Sequence, residues 1–180
     1  LDLARGEFVG SYMINQHSLA SSENYSLTFV TSTLTINKRA ITVSAVSTTK
    51  TYDDTVTASG TPTITFGSLV GSDTAHFTQS FTSQHAGFFK ELVPTGYVDD
   101  GNSGLNYEIQ FDSANVGTIN QRSLTIAAVA TSKSYDGTTT SSGTPIVTGL
   151  AGNDTASATQ VYDSATAGNG KTLSISSYTI

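Results

Sequence analysis

The sequence predicts an all-β chain of tandem small modules, each a β-sandwich or a β-grasp-like sheet, strung into an elongated rod. Three observations predict it. Apolar residues alternate with Ser, Thr or Gln over short runs, the period of a strand with one buried face. Ser and Thr number 25 and 30 while charged residues are only 12%, and β-branched Thr suits a pleated, half-exposed surface. Finally, one stretch of sequence returns 83 residues later: Ile41-Thr-Val-Ser-Ala-Val46 as Leu124-Thr-Ile-Ala-Ala-Val129, Lys50-Thr-Tyr-Asp-Asp54 as Lys133-Ser-Tyr-Asp-Gly137, and Ser59-Gly-Thr-Pro62 as Ser142-Gly-Thr-Pro145. Self-similarity at a fixed spacing marks one structural unit used repeatedly.

Taken in order, the alternation predicts strands at 25–30, 33–36, 41–46, 63–66, 77–81, 107–111 and 173–175. Asp, Asn and Gly clusters between them are turn signals: Asp53-Asp54, Gly71-Ser-Asp73, Asp99-Asp-Gly-Asn-Ser-Gly104, Asp136-Gly137, Gly152-Asn-Asp154 and Gly168-Asn-Gly170. No 12-residue window carries an apolar stripe of helical period, so helix is limited to a single turn near Asp99–Gly104. The inward set predicted from these strands is Ile41, Val43, Ile64, Phe66, Phe77, Phe81, Leu92, Tyr107, Ile109, Phe111 and Ile119.

The repeat divides the chain. Residues 40–122 form one complete module. Residues 123–180 are the head of a second, with the spacing falling to 81 after a two-residue deletion: Leu69-Val-Gly-Ser-Asp73 is answered by Leu150-Ala-Gly-Asn-Asp154, and Tyr97 by Tyr178. Residues 1–39 resemble the tail of a module, since Ile36-Asn-Lys-Arg39 answers Ile119-Asn-Gln-Arg122. Half-modules leave open strand edges. Flanking chain or a neighbouring molecule is expected to complete them, and the opening Leu1-Asp-Leu-Ala-Arg5 is read as internal to a longer protein. The junctions Asn37-Lys-Arg39 and Asn120-Gln-Arg122 contain neither Gly nor Pro, which predicts little bending between modules.

Several residues carry a family resemblance. Leu3-Ala-Arg-Gly-Glu-Phe-Val-Gly-Ser-Tyr-Met-Ile14, Asn24-Tyr-Ser-Leu-Thr-Phe-Val30 and Thr33-Leu-Thr-Ile36 resemble the C-terminal part of an MBG domain. Lys50-Thr-Tyr-Asp-Asp-Thr55 with Gly71-Ser-Asp73, Ala86-Gly-Phe-Phe-Lys90 and Asn106-Tyr107, and again Lys133-Ser-Tyr-Asp-Gly-Thr138 with Gly152-Asn-Asp154, resemble the YDG domain. Asp54 departs from the family's Gly, and Asp tolerates the left-handed backbone such a turn needs. The resemblance implies large bacterial exoproteins, filamentous-haemagglutinin-like adhesins among them, in which such modules form an extracellular stalk at the cell surface. The function expected is therefore structural, a spacer of an adhesin or extracellular fibre. The alternatives are a module that itself grips glycan or a host protein, and a filament subunit joined through complementary half-modules.

Composition excludes other classes. The net charge is −6 and no basic cluster exists, against nucleic acid as a partner. There is no Cys, hence no disulfide or thiolate metal site. No apolar run approaches the length needed to span a bilayer, so no membrane insertion is expected. The expected partners are neighbouring repeats of the same chain or of adjacent subunits.

Candidate chemistry is sparse, and no enzyme is expected. Asp99, Asp100 and Asn102 lie in a short acidic, Gly-containing loop of oxygen donors, the one candidate for calcium, although turn Asp and Asn commonly bond their own backbone. Lys50/Lys133, Lys90/Lys171 and Asp73/Asp154 recur and suit an isopeptide crosslink only if they meet in a buried site. His17, His76 and His85 do not recur. Tyr52/Tyr135 and Tyr97/Tyr178 recur and are read as rings packed at the core edge rather than sugar platforms.

Overall fold

In the computed structural model, which describes residues 8–16, 18 and 20–180, all regular structure is strand. Thirteen strands follow in order: β1 Gly10–Ile14, β2 Ser32–Ile36, β3 Arg39–Ser44, β4 Thr48–Thr51, β5 Thr63–Phe66, β6 Thr74–Phe81, β7 Gly87–Asp99, β8 Tyr107–Asp112, β9 Ala114–Asn120, β10 Thr125–Ala127, β11 Ile146–Thr148, β12 Ser157–Tyr162 and β13 Leu173–Thr179. The segment after Asp99 is a run of turns and not a helical turn. The all-β prediction holds.

By contacts, the chain divides into two compact units. One takes in the described residues up to Ser47 with Ala58–Ser80 and Glu91–Val116; the other comprises Thr48–Thr57, Phe81–Lys90 and Gly117–Ile180. Hydrogen bonding arranges the strands as a three-stranded sheet in the order β5-β3-β8, a four-stranded sheet in the order β4-β9-β7-β6, and the pairs β1-β2, β10-β11 and β12-β13.

The first unit has a sandwich-like core. Ile41 and Val43 from β3 and Tyr107 from β8 meet Phe77 from β6 and Val98 from β7, with Ile64, Leu69, Ile109 and Phe111 packed around them. Two sheets thus contribute inward faces to one apolar cluster, the usual way for a sheet to bury its single apolar face. Strand β8 runs parallel to β3, placing Ile109 opposite Ile41 and Phe111 opposite Val43. Phe77 and Phe111 meet edge to face with centroids 6.0 Å apart.

Most of the predicted inward set is buried or packed on the core, and Phe66 is the exception at 64% exposed. Its register explains why. Val43 pairs with Ile64, but a bulge follows and Thr42 pairs with Phe66. The extra residue flips the alternation, so Phe66 shares the outer face with Thr42. The second module confirms the reading: Thr125 pairs with Thr148, Ile126 with Val147 and Ala127 with Ile146, without a bulge. One of the two deleted residues therefore corresponds to the bulge residue Thr65, and the other to Ser68.

Two strands differ from the prediction. Residues 25–30 form no strand; Tyr25 and Val30 are 76% and 81% exposed. Among the described residues no strand pairs with this stretch. Conversely β7 is the longest strand, and Pro94 and Gly96 hid it by reading as breakers. Both occupy inward positions in register with buried Leu92 and Val98. At Gly96 (φ +137°) a methyl group would lie 2.0 Å from the His76 carbonyl oxygen, so only Gly permits this approach.

Candidate functional site

The recurring Lys-x-Tyr-Asp loop folds the same way in both copies. Lys50 Nζ donates to Asp53 Oδ1 (2.7 Å), the Thr55 carbonyl (2.7 Å) and Thr55 Oγ1 (2.9 Å). Lys133 Nζ donates to Asp136 Oδ1 (2.8 Å), the Thr138 carbonyl (2.8 Å) and Thr138 Oγ1 (2.9 Å). An ammonium has three N–H donors, and each finds one acceptor. Asp53 Oδ1 also accepts the Thr55 backbone N–H at 3.0 Å, and Asp136 Oδ1 that of Thr138 at 2.9 Å, closing an Asx turn. The ammonium lies over the ring of Phe81 in one copy and Tyr162 in the other, with Nζ 5.6 and 5.8 Å from the centroids.

This latch fixes charge. The Lys50 hydrogen bond, then the Thr55 hydroxyl and amide, hold Asp53 down at a pKa of about 2. Lys133 and Thr138 do the same for Asp136, also about 2. A carboxylate held in its ionised form is a poor start for amide condensation with its lysine, which requires a neutral acid and amine. Asp73, the other isopeptide candidate, accepts the Tyr107 hydroxyl at 2.5 Å. Because both folded pKa values lie below the ordinary 3.8, the latch stabilises the loop fully above about pH 4 and its contribution is lost as pH falls through about 2. Amide shifts of Thr55 and Thr138 should stay constant from pH 7 to 4 and move together near pH 2; movement near pH 4 would show that the ion pairs are not formed.

Ahead of the latch sits a second shared device that the sequence reading missed. Gln79 Oε1 accepts the Val46 N–H at 2.9 Å and its Nε2 donates to the Val46 carbonyl at 2.7 Å. Gln160 makes the same two bonds to Val129, at 2.8 and 2.7 Å. Both glutamines are buried, at 4% and 2% exposure. Two arginines 83 residues apart also match: Arg39 Nε donates to the Ser68 carbonyl and Arg122 Nε to the Gly149 carbonyl, each at 2.7 Å.

The copies part at the Tyr-Asp tip. Asp54 (φ 63°) holds the left-handed turn that Gly137 (φ 74°) holds in the second copy, as expected from the sequence. Its carboxylate adds contacts that Gly cannot make. Asp54 Oδ1 accepts Gln84 Nε2 at 2.7 Å, and Oδ2 accepts the Asn153 backbone N–H at 3.2 Å. The neighbouring Tyr52 hydroxyl donates to Asp154 Oδ1 at 3.2 Å and lies 3.4 Å from Asp54 Oδ1. Burial, then the hydrogen bond and charge of Asp154 and the nearby Asp54, push the Tyr52 phenol up to about 12. Gly152 lies so close that a methyl there would come within 2.3 Å of Asp54 Oδ2. The loop of residues 40–122 is therefore locked on the Gly152-Asn153-Asp154 turn of residues 123–180, and all of these residues belong to the second compact unit. Tyr135, the counterpart of Tyr52, is 72% exposed, and Tyr97 and Tyr178 are 56% and 62% exposed. Of these four only Tyr52 is half-buried.

The calcium candidates fall in the turn after β7. Asp99 is exposed at the strand end, whereas Asp100 is buried. Asp100 Oδ1 accepts the backbone N–H groups of Asn102 and Gly104, both at 2.8 Å, and Oδ2 accepts that of Asn106 at 3.0 Å. Burial raises the Asp100 pKa, but the Gly104, Asn102 and Asn106 amides together outweigh it and hold the carboxyl below its ordinary range. Asn102 turns its amide nitrogen to Asn106 Oδ1. N–H donors thus aim at the oxygens a cation would need. Among the described residues no group of three or more His, Asp or Glu is placed to hold a metal. His76 stacks on Tyr97 with centroids 4.9 Å apart, and His17 lies outside the described residues.

No curated protein and no solved structure matched the chain. A family model did, and it falls on the second copy of the latch and its Gly-Asn-Asp turn: residues 120–180 match the YDG domain.

Proposed function

We propose that this chain is a spacer segment, a run of tandem β modules serving as stalk in a large secreted or surface-anchored bacterial adhesin or extracellular fibre. The observation that carries this reading is the lock of Tyr52 and Asp54 on the Gly152–Asp154 turn. It ties one copy of the repeat to the next through side chains, beyond the covalent junction. A joint fixed at two points bends less than one fixed by the backbone alone. The repeated polar residues support the same reading, because the lysine latch and the glutamine clamp spend their donors and acceptors inside the fold. The YDG match supports the module type; the MBG-like character of residues 1–39 and the extracellular setting come from the sequence resemblance.

Small-angle X-ray scattering on chains lengthened by one and two further 83-residue copies tests it. The maximum dimension should grow by a constant increment per copy, and Asp54→Ala should broaden the distance distribution. A radius of gyration that grows only as a compact globule's would, near the 0.38 power of length, would remove the spacer reading. Specific sub-millimolar binding on a glycan array would favour the binding-module alternative.

A further inference from the structure

In the first copy of the repeat, β4 is held by β9. β4 pairs in parallel with β9, Thr48 opposite Gly117, Lys50 opposite Ile119 and Thr51 opposite Asn120. The Tyr52 N–H continues the ladder to the Asn120 carbonyl at 2.9 Å. Ile119 is only 1% exposed.

The counterpart of β4 in the second copy is residues 131–134, and these lie in no strand. Beside them opens a cavity of about 360 Å³ lined by Thr131, Lys133, Tyr135, Tyr162, Lys171 and Leu173, among others. By the repeat, Lys133 matches Lys50, Tyr135 matches Tyr52 and Tyr162 matches Phe81. The latch, the cation over the ring and the 164–171 loop are already in place around the opening. Tyr135, whose backbone N–H corresponds to that of Tyr52, is largely exposed.

We propose that this cavity is an acceptor groove for an extended strand carrying the β9 pattern, Gly-Thr-Ile-Asn, added in parallel with its Ile opposite Lys133. Recognition would use strand addition: main-chain hydrogen bonds give affinity, and alternate side chains enter pockets. The Ile would enter the cavity between Tyr162 and Leu173, and its flanking Thr and Asn would face water, as Asn120 does in β9. The inference shares with the spacer reading the equivalence of the two copies, but its readout is binding of a strand and not the length of a rod.

The test uses the 180-residue chain and a synthetic peptide of residues 113–122, followed by ¹⁵N chemical shifts and calorimetry. Saturable binding is expected, with the largest shifts at residues 131–135 and 162–173. Replacing the peptide's Ile119 by Asp should weaken binding at least tenfold, and because the change is in the peptide, folding of the protein is not at issue. No saturable binding at millimolar peptide, or equal affinity for the Asp peptide, would overturn the proposal.

Discussion

Replacing Tyr107 by Ala is expected to destabilise the first compact unit by about 3–5 kcal/mol, the cost of truncating a buried aromatic. Tyr107 is 4% exposed and sits in the cluster with Ile41, Val43, Phe77 and Val98. Its hydroxyl adds a second role. It donates to Asp73 Oδ2 at 2.5 Å and accepts the Val70 N–H at 2.9 Å, so one side chain fills the core and fastens the Gly71-Ser-Asp73 turn. Burial first, then Asp73, raise its pKa, so the phenol stays neutral and able to donate. Tyr107→Phe separates the two roles: it keeps the ring and should cost only about 1–2 kcal/mol. Urea unfolding followed at amides of Ile41 and Val43 measures both. If Tyr107→Ala leaves the midpoint unchanged, the ring is not the keystone of this core.

How much of this was legible in the sequence follows from where local pattern and tertiary demand agree. They agree along β3 and β8, where every second residue is apolar and faces the core, and in the Tyr-Asp-Asp loop, where Asp54 stands in for Gly. They disagree where one residue breaks the count. Thr65 is an ordinary residue, yet its insertion as a bulge sends Phe66 outward. Pro94 and Gly96 lack the side chains by which an inward face is recognised, yet both lie inward on β7. The junction lock was out of reach: nothing local to Tyr52 or Asp54 says that their acceptor and donor lie about 100 positions further on. The repeated turn motifs marked both partners without showing that they meet. The acidic loop reads two ways in sequence, because a ligand-like run of Asp and Asn is also what a turn closed by backbone N–H donors requires. Phe89 shows a local rule broken outright. It holds φ 52° where the second copy places Gly170 at φ 70°, and with Phe88 it stands 83% and 76% exposed.

The glutamine clamp was legible and was misread. In Phe77-Thr-Gln-Ser-Phe81 the alternation puts Gln79 on the same face as Phe77 and Phe81, not with Thr78 and Ser80. A glutamine at an inward position that returns as Gln160 is a signal for a buried amide with a fixed job. The job is to bond both backbone polar groups of Val46, just past the end of β3. Gln79→Leu keeps the volume and removes both bonds, with an expected loss of about 2–4 kcal/mol as one buried donor and one buried acceptor lose these partners. Gln79→Glu discriminates further. When ionised it still accepts from Val46 N–H but sets a negative charge against the Val46 carbonyl, whereas when protonated it can restore the second bond. Its folded pKa should therefore rise above the unfolded value, with its stability contribution intact below about pH 4 and lost as pH climbs through the folded pKa. Urea midpoints of the three proteins at pH 4 and pH 7 decide it: Glu should track Gln at the lower pH and approach Leu at the higher. A Glu variant with the same deficit at both pH values would mean that the amide fills space and does not clamp the backbone.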